Sequence, residues 1–433
     1  MTTDVIASAA RSAWPEAVPS PADVFRAVAT EPGVVFLDGR AAFARAPWSH
    51  LTWKPLRRFR LASDGTAAID GEPVASADPV AALDDFLSVE SAAERTVFGV
   101  IGYDLGRWIE PAAGSRASGG ELPLAALASY EHVLHYDHRR RRWSGPAPEL
   151  RAEKSRRCRV SGLRVSLDEA SYTRLFDRAQ AWIAAGDIYQ VNLSIAFEAD
   201  IAGHPAALYE QLAKRHPVPY GAYLDCGDFQ VLSNSPELFL ERRGRRLVTR
   251  PIKGTRPRGA TPGDDRRLRE ELSGSAKERA EHVMIVDLER SDLGRLAEIG
   301  SVRVEELEAV ESYPTLHHLV STIVAELRSR ARFSDILRAT FPGGSITGAP
   351  KIRAMQIIDE LEGASRGFYT GGVLHHSPSG DFTLNIAIRT ATVAAGRIRY
   401  AAGGGVVSDS TAAAEYRECL LKARAFVEAL PTA

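Results

Sequence analysis

The stretch that decides the fold is residues 166–197, SLDEASYTRLFDRAQAWIAAGDIYQVNLSIAF. Ser166 and Glu169 read as a capping box at a helix start. Tyr172, Leu175, Phe176, Ala179, Trp182 and Ile183 then recur on one helical face. Gly186 supplies the stop. The period changes to two immediately afterwards. Tyr189, Val191, Leu193, Ile195 and Phe197 point one way, and Gln190, Asn192 and Ser194 the other. The polar face of this strand carries no charge, which suits either solvent or the wall of a pocket.

Working outward, the first region reads as short strands such as Val34 to Leu37 and Val97 to Ile101, broken by Gly and Pro. Residues 144–157 are rich in Gly, Pro and charge and read as a linker. The expected organisation is an N-terminal region, 1–145, contributing strands to a shared fold, and a catalytic region, 160–433. The run Arg139 to Arg142 reads as a phosphate patch or, more simply, as a solvated strand end.

Bulk properties narrow the function. The chain has 433 residues, 45% of them apolar, and a formal net charge of −1. That balance argues against a nucleic-acid or membrane-surface binder. Cys158, Cys226 and Cys419 show no metal or disulfide spacing, as in a reducing cytosol. No secretory leader or membrane span is legible, so a cytoplasmic protein is expected.

Several constellations could carry chemistry. In SNSPE, residues 233–237, Glu237 is a candidate proton donor. In RPIKGTR, residues 250–256, Lys253 is a candidate nucleophile or base, with Arg250, Arg256 and Arg258 as cations able to lower its pKa. A basic turn in water is the plainer alternative. A helix over Lys277 to Arg295 carries Glu278, Glu281, Asp287 and Glu289. Another, over Ala413 to Leu430, sets Glu415, Glu418 and Lys422 on one face, a spacing that a surface ion pair also explains. FPGGSITGAPK, residues 341–351, makes an anion-binding helix start without being a Walker loop. Gly403 to Gly405 would let a backbone approach a ligand. Together the acids, cations and glycine sites suit a small dianion bound through a divalent metal.

These segments also resemble a known family. GDIYQVNLS, SNSPELFL, RPIKGTRPRG, AEHVMIVDLERSDLGR, HHLVSTI, FPGGSITGAPKIRAM, GFYTGG, FTLNIAIRTA, AAGGGVVSDS and EYRECLLKARAF are similar, in that order, to motifs of the chorismate-utilising enzymes. The resemblance spans about Gly186 to Ala425, with GYDLGRWIE, residues 102–110, in addition. It implies an α+β fold of two packed, mainly antiparallel sheets flanked by helices, with the substrate cleft between them. It implies Mg²⁺ on Glu281 and Glu418, with Glu415 beside them, holding the ring carboxylate of chorismate. Tyr369, Arg389 and the backbone near Gly404 and Gly405 would meet the enolpyruvyl carboxylate. Ser345 and His318 would line the ring, Lys422 would balance the acids, and Glu237 would help the 4-hydroxyl leave.

Two positions bear on the reaction. Family members that add water carry Lys where this chain has Gln190, so amination is expected, with ammonia as nucleophile. Lys253 resembles the aminodeoxychorismate synthase branch, where anthranilate synthases usually carry Ala; an anthranilate synthase is the alternative. A catalytically dead binding protein is a rival of another class, disfavoured by Glu237, Lys253, Glu281 and Glu418 occurring together. The chain carries no Gly-x-Cys-x-Gly elbow, so a separate glutamine amidotransferase subunit is implied as the ammonia source. No appended lyase domain is expected after Ala433, so pyruvate elimination is expected from another enzyme. The family's tryptophan-binding Leu-Glu-Ser motif is not recognisable around Leu37-Asp38-Gly39.

Overall fold

The helix predicted from residue 166 forms over Glu169–Ala185 in the computed structural model. Its start differs from the expectation. Asp168 is the cap, accepting from the Ser171 N–H at 2.8 Å. The Ser166 hydroxyl instead accepts from the Ala196 N–H at 2.9 Å, tying the helix approach to the next strand. The capping-box reading was therefore two residues early: a β-strand N–H claimed the serine. Gly186 closes the helix at φ 81°, a left-handed conformation that glycine adopts without a Cβ penalty. Tyr172, Phe176 and Ala179 are buried, with Leu175, Trp182 and Ile183 packed against the same core.

The strand that follows covers Gln190–Gly203. Val191, Leu193, Ile195 and Phe197 face the core as their alternation requires. Tyr189 does not join them: it lies before the strand and is 70% exposed. The strand pairs antiparallel with Arg397–Val406 from Val191 opposite Val406 to Asp200 opposite Arg397. This register sets Asn192 opposite Gly405 and Leu193 opposite Gly404.

The described residues are 14, 18–40, 42–43, 46–76, 78–114, 120–148, 156–314 and 316–431. Among them are two large antiparallel sheets, of 11 and 12 strands. The first 145 residues supply strands to both. Val35–Asp38, Trp48–Thr52, Leu134–Asp137 and Arg142–Ser144 join the sheet that holds Gln190–Gly203. Arg57–Leu61, Ala67–Ile69, Glu72–Val74, Thr96–Ile101 and Ala125–Tyr130 join the other. Arg139 to Arg141 form an exposed turn, in keeping with a solvated strand end. Half of the presumed linker, residues 149–155, lies outside the described residues.

Three apolar layers hold the sheets. Val35, Phe98, Val100, Tyr130, Leu224, Phe229 and Val373 pack where the sheets face each other. Helices Pro205–Arg215, Lys351–Glu362 and Ala412–Ala429 cover one outer face. Helices Pro79–Ala92, Ala276–Gly294 and Phe333–Thr340 cover the other. Each fully buried Leu, Val or Phe contributes about 1.5–3 kcal/mol. Strand Ile252–Pro257 ends the larger sheet, and strand Arg397–Val406 lies near the edge of the smaller one. Helices Ala276–Gly294 and Ala412–Ala429 pack beside these two strands, and the candidate residues gather there.

Candidate active site

The glycines of strand Arg397–Val406 are the floor of the site, and what crowds them defines its walls. A β-carbon on Gly405 would lie 2.7 Å from Gln190 Nε2 and 3.2 Å from Glu281 Oε1. One on Gly404 would lie 2.9 Å from Glu415 Oε2 and 3.7 Å from Glu418 Oε1. One on Gly403 would lie 2.9 Å from the Tyr369 hydroxyl. Only bare backbone leaves room for three carboxylates, an amide and a phenol around one strand end.

Lys253 reaches this floor from strand Ile252–Pro257. Its Nζ is 3.1 Å from Glu281 Oε1, and the two side chains are 15% and 20% exposed. Burial alone would favour the neutral amine. The carboxylates of Glu281 and Glu237 outweigh it, so the ammonium is held above the usual lysine range. The arginines expected to push the other way are engaged elsewhere. Arg250 pairs with Glu311, Arg256 with Glu271 and Glu278, and Arg258 with Asp265. The expectation of a cation-depressed lysine is therefore corrected, because those three cations face their own carboxylates.

Glu237 is 5% exposed. Burial pushes its carboxyl above the usual range, only partly offset by Lys253, by the Ile252 N–H at 3.3 Å and by the Ser345 hydroxyl at 3.2 Å. Burial thus favours the acid form, the form able to donate a proton. His318 is buried, its Nδ1 lies 3.0 Å from the Thr255 hydroxyl, and burial pushes it down to about 3, leaving a neutral ring. Arg389 has φ 51°, a left-handed conformation costing about 1–3 kcal/mol for a residue with a Cβ. Its guanidinium forms no ion pair among the described residues, and burial lowers its pKa despite Tyr400 and Glu237. Tyr369 is buried as well.

Gln190 is fully buried, and neither end of its amide has a hydrogen-bond partner among the described residues. Asn192 Oδ1 is likewise unpartnered. An idle buried amide costs about 1–3 kcal/mol, so these atoms call for a polar guest.

For a divalent cation the donor set is two-sided. Among the described residues no group of three or more His, Cys, Asp or Glu is gathered to hold a metal. Glu281 and Glu418 nevertheless approach the same glycine floor from two helices. Each now faces a lysine, Lys253 at 3.1 Å and Lys422 at 2.7 Å. Burial works against ionisation of Glu418, but Lys422 and Lys253 hold it below its usual range. Glu415 is buried and accepts from the Ser410 hydroxyl at 2.7 Å. One or two carboxylates with water and a bound anion are what Mg²⁺ commonly takes, so the residues present fit that ion.

Sequence reading missed Arg366. Its buried guanidinium binds both oxygens of Glu362 at 2.7 and 2.8 Å, the Ile346 carbonyl at 3.1 Å and the Asn192 carbonyl at 2.8 Å. It also stacks on the rings of Tyr103 and Tyr369. One cation thus fastens the segments carrying Gln190, Ser345 and Tyr369. Its i,i+4 spacing from Glu362 was the available signal, but such pairs usually face water.

The profile of chorismate binding enzymes matches residues 34–428. The chain belongs to that family. Among family relatives, it is 43% identical over 332 residues to aminodeoxychorismate synthase component 1 of Klebsiella aerogenes, covering 74% of each chain. It is 39% identical over 408 residues to anthranilate synthase component 1 of Thermus thermophilus, covering 87% of each. The crystal structure of anthranilate synthase component I from Streptococcus pneumoniae TIGR4 superposes with TM-score 0.78 at 28% identity, over 89% of this chain and 93% of that one. As a chorismate binding enzyme, the chain shares the two-sheet fold expected from its motifs. No helix among the described residues is long and apolar enough to cross a membrane.

Proposed function

We propose that this chain is component 1 of an aminodeoxychorismate synthase, replacing the 4-hydroxyl of chorismate with an amino group on the route to p-aminobenzoate and folate. The observation that carries the reading is Lys253, an amine enclosed between Glu281 and Glu237 at the glycine floor. Nζ bonds to the ring carbon beside the one bearing the carboxylate as the C4–O bond breaks. Glu237 delivers its proton and water leaves. Ammonia then bonds to C4, the carbon–Nζ bond breaks, and the surplus proton returns to Glu237. Two displacements in place of one are the usual gain of covalent catalysis.

Nζ must first lose a proton that Glu281 holds on it. Any cation engaging Glu281 weakens that hold. Glu281 and Glu418, with Glu415 behind them, would hold Mg²⁺, which when bound offsets the charge of the ring carboxylate. Tyr369, the unpaired Arg389 and the N–H groups near Gly404 and Gly405 would receive the enolpyruvyl carboxylate, with Ser345 and His318 along the ring. The unpartnered Gln190 amide suits a polar nucleophile that needs no base. Ammonia comes from a separate glutamine amidotransferase subunit.

The test is incubation with chorismate, Mg²⁺ and ammonium, followed by mass spectrometry. 4-Amino-4-deoxychorismate is expected; ortho-aminobenzoate with pyruvate would make the chain an anthranilate synthase. That second reading is favoured by the length of the similarity to the Thermus protein. Lys253→Ala is expected to lower turnover by about 10³-fold or more, as loss of a nucleophile does. Wild-type turnover in that variant rules out the covalent route.

A further inference from the structure

Strand Gln190–Gly203 carries two buried amides on one face, at Gln190 and Asn192. Gln190 Oε1, Gln190 Nε2 and Asn192 Oδ1 have no hydrogen-bond partner among the described residues. All three lie along the glycine floor. A β-carbon on Gly405 would be 2.7 Å from Gln190 Nε2 and 3.2 Å from Glu281 Oε1, the oxygen that faces Lys253. One on Gly403 would be 2.8 Å from Asn192 Oδ1 and 2.9 Å from the Tyr369 hydroxyl. The pair of amides therefore begins beside the Lys253 ion pair and ends beside Tyr369.

Asn192 is fixed through its backbone. Its N–H donates to the Thr347 carbonyl at 2.9 Å, and its carbonyl accepts from Arg366 at 2.8 Å. That arginine cannot also serve the side chain. A guanidinium has five N–H groups. Those of Arg366 go to both oxygens of Glu362, to the Ile346 and Asn192 carbonyls and to the Thr370 hydroxyl. The backbone is pinned while Oδ1 is left without a donor, and Asn192 is only 7% exposed.

A buried acceptor without a donor is unfavourable, so the guest that suits this face must donate. A carboxylate only accepts, and the amide oxygens would repel it. The ring of chorismate offers them little. Ammonia donates through its N–H groups and keeps a lone pair for the carbon it attacks.

We propose that Asn192 and Gln190 form the subsite that receives ammonia: their carbonyl oxygens accept its N–H groups and turn its lone pair toward the ring. This rests on ammonia being the nucleophile, and it gives Asn192 a substrate-binding role. The bonds made and broken stay as described above.

The test compares two variants. Asn192→Leu keeps the side chain's shape and removes the acceptor; Asn192→Asp keeps acceptor oxygens. Chorismate loss is followed at about pH 8.5 with Mg²⁺ and increasing ammonium chloride, whichever product forms. Asn192→Leu is expected to lower kcat/KM for ammonium about three- to tenfold, as loss of one hydrogen bond does, with the KM for chorismate unchanged. Asn192→Asp should recover most of that loss. Unchanged kcat/KM for ammonium in Asn192→Leu, a loss that falls on the KM for chorismate instead, or an Asp variant no better than the Leu variant overturns the proposal.

A second arm needs no turnover. The Tm of the Mg²⁺-supplemented enzyme is read in ammonium chloride and in sodium chloride at equal concentration. Wild type should gain roughly 1–2 °C from ammonium, as a ligand at about ten times its Kd gives for a chain of this size. Asn192→Leu should gain nothing. Equal Tm of wild type in the two salts means that water satisfies these oxygens, and the proposal falls even if amination stands. If ammonium raises the Tm of wild type but not of Asn192→Leu while no chorismate is consumed, the functional reading fails and the subsite stands.

Discussion

Replacing Arg366 by Met tests whether one buried cation fastens the site. The side chains of Arg366 and Glu362 are 3% and 9% exposed. Met fills the aliphatic volume but leaves the Glu362 carboxylate facing only the N–H and hydroxyl of Ser194, at 3.0 and 2.8 Å. Breaking a buried pair from one side costs about 3–5 kcal/mol, because a charge is stranded away from water. At about 2.1 cal/mol/K per residue, 433 residues carry an unfolding entropy of roughly 0.9 kcal/mol/K. Arg366→Met should therefore lower Tm by roughly 3–5 °C in scanning calorimetry. Adding Glu362→Met removes the stranded charge and should restore more than half of that loss. The shortfall measures the bonds to Ile346, Asn192 and Thr370. A fall below about 1 °C, or a double variant no better than the single one, refutes the reasoning.

Glu418→Ala should raise the Mg²⁺ concentration for half-maximal turnover by at least about tenfold, read from a metal titration. An unchanged titration removes Glu418 from the cation site. Gln190→Leu should leave Tm unchanged or raised, since its amide has no partner among the described residues to lose, yet lower kcat/KM for ammonium; a loss of Tm with intact kinetics would make it structural. Burial pushes His375 down to about 3, so its neutral ring binds no proton that the unfolded chain would take below about pH 6.5. Stability should fall as pH drops from 6.5 toward 3, and His375→Phe, stacked on Phe98, should reduce that acid dependence in melts at pH 4.5 and 6.5. Parallel behaviour of variant and wild type would show that His375 does not report acid unfolding.

Much of the scaffold was legible because its cues are local. The 3.6 and 2.0 periods around Gly186 placed a helix and the start of a strand within two residues of where they lie, although the strand runs on to Gly203, past the Phe197 where its alternation was read. The two misreadings there, Ser166 as a cap and Tyr189 as a member of the strand's apolar face, share one cause. A local rule was applied where a partner distant in sequence had the stronger claim: Ala196 takes the serine oxygen, and Tyr189 precedes the pairing with Arg397–Val406.

Sequence alone determined the element types, the order of the motifs and, through them, the family. It also marked Glu237, Lys253, Glu281 and Glu418 as residues to watch. Tertiary structure decided which charges meet. It gave Arg250, Arg256 and Arg258 to other acids, set Lys253 against Glu281 and left the Gln190 amide without a partner among the described residues. The reason is that protonation follows separation and burial in space. Sequence spacing carries neither quantity once the chain has folded back on itself.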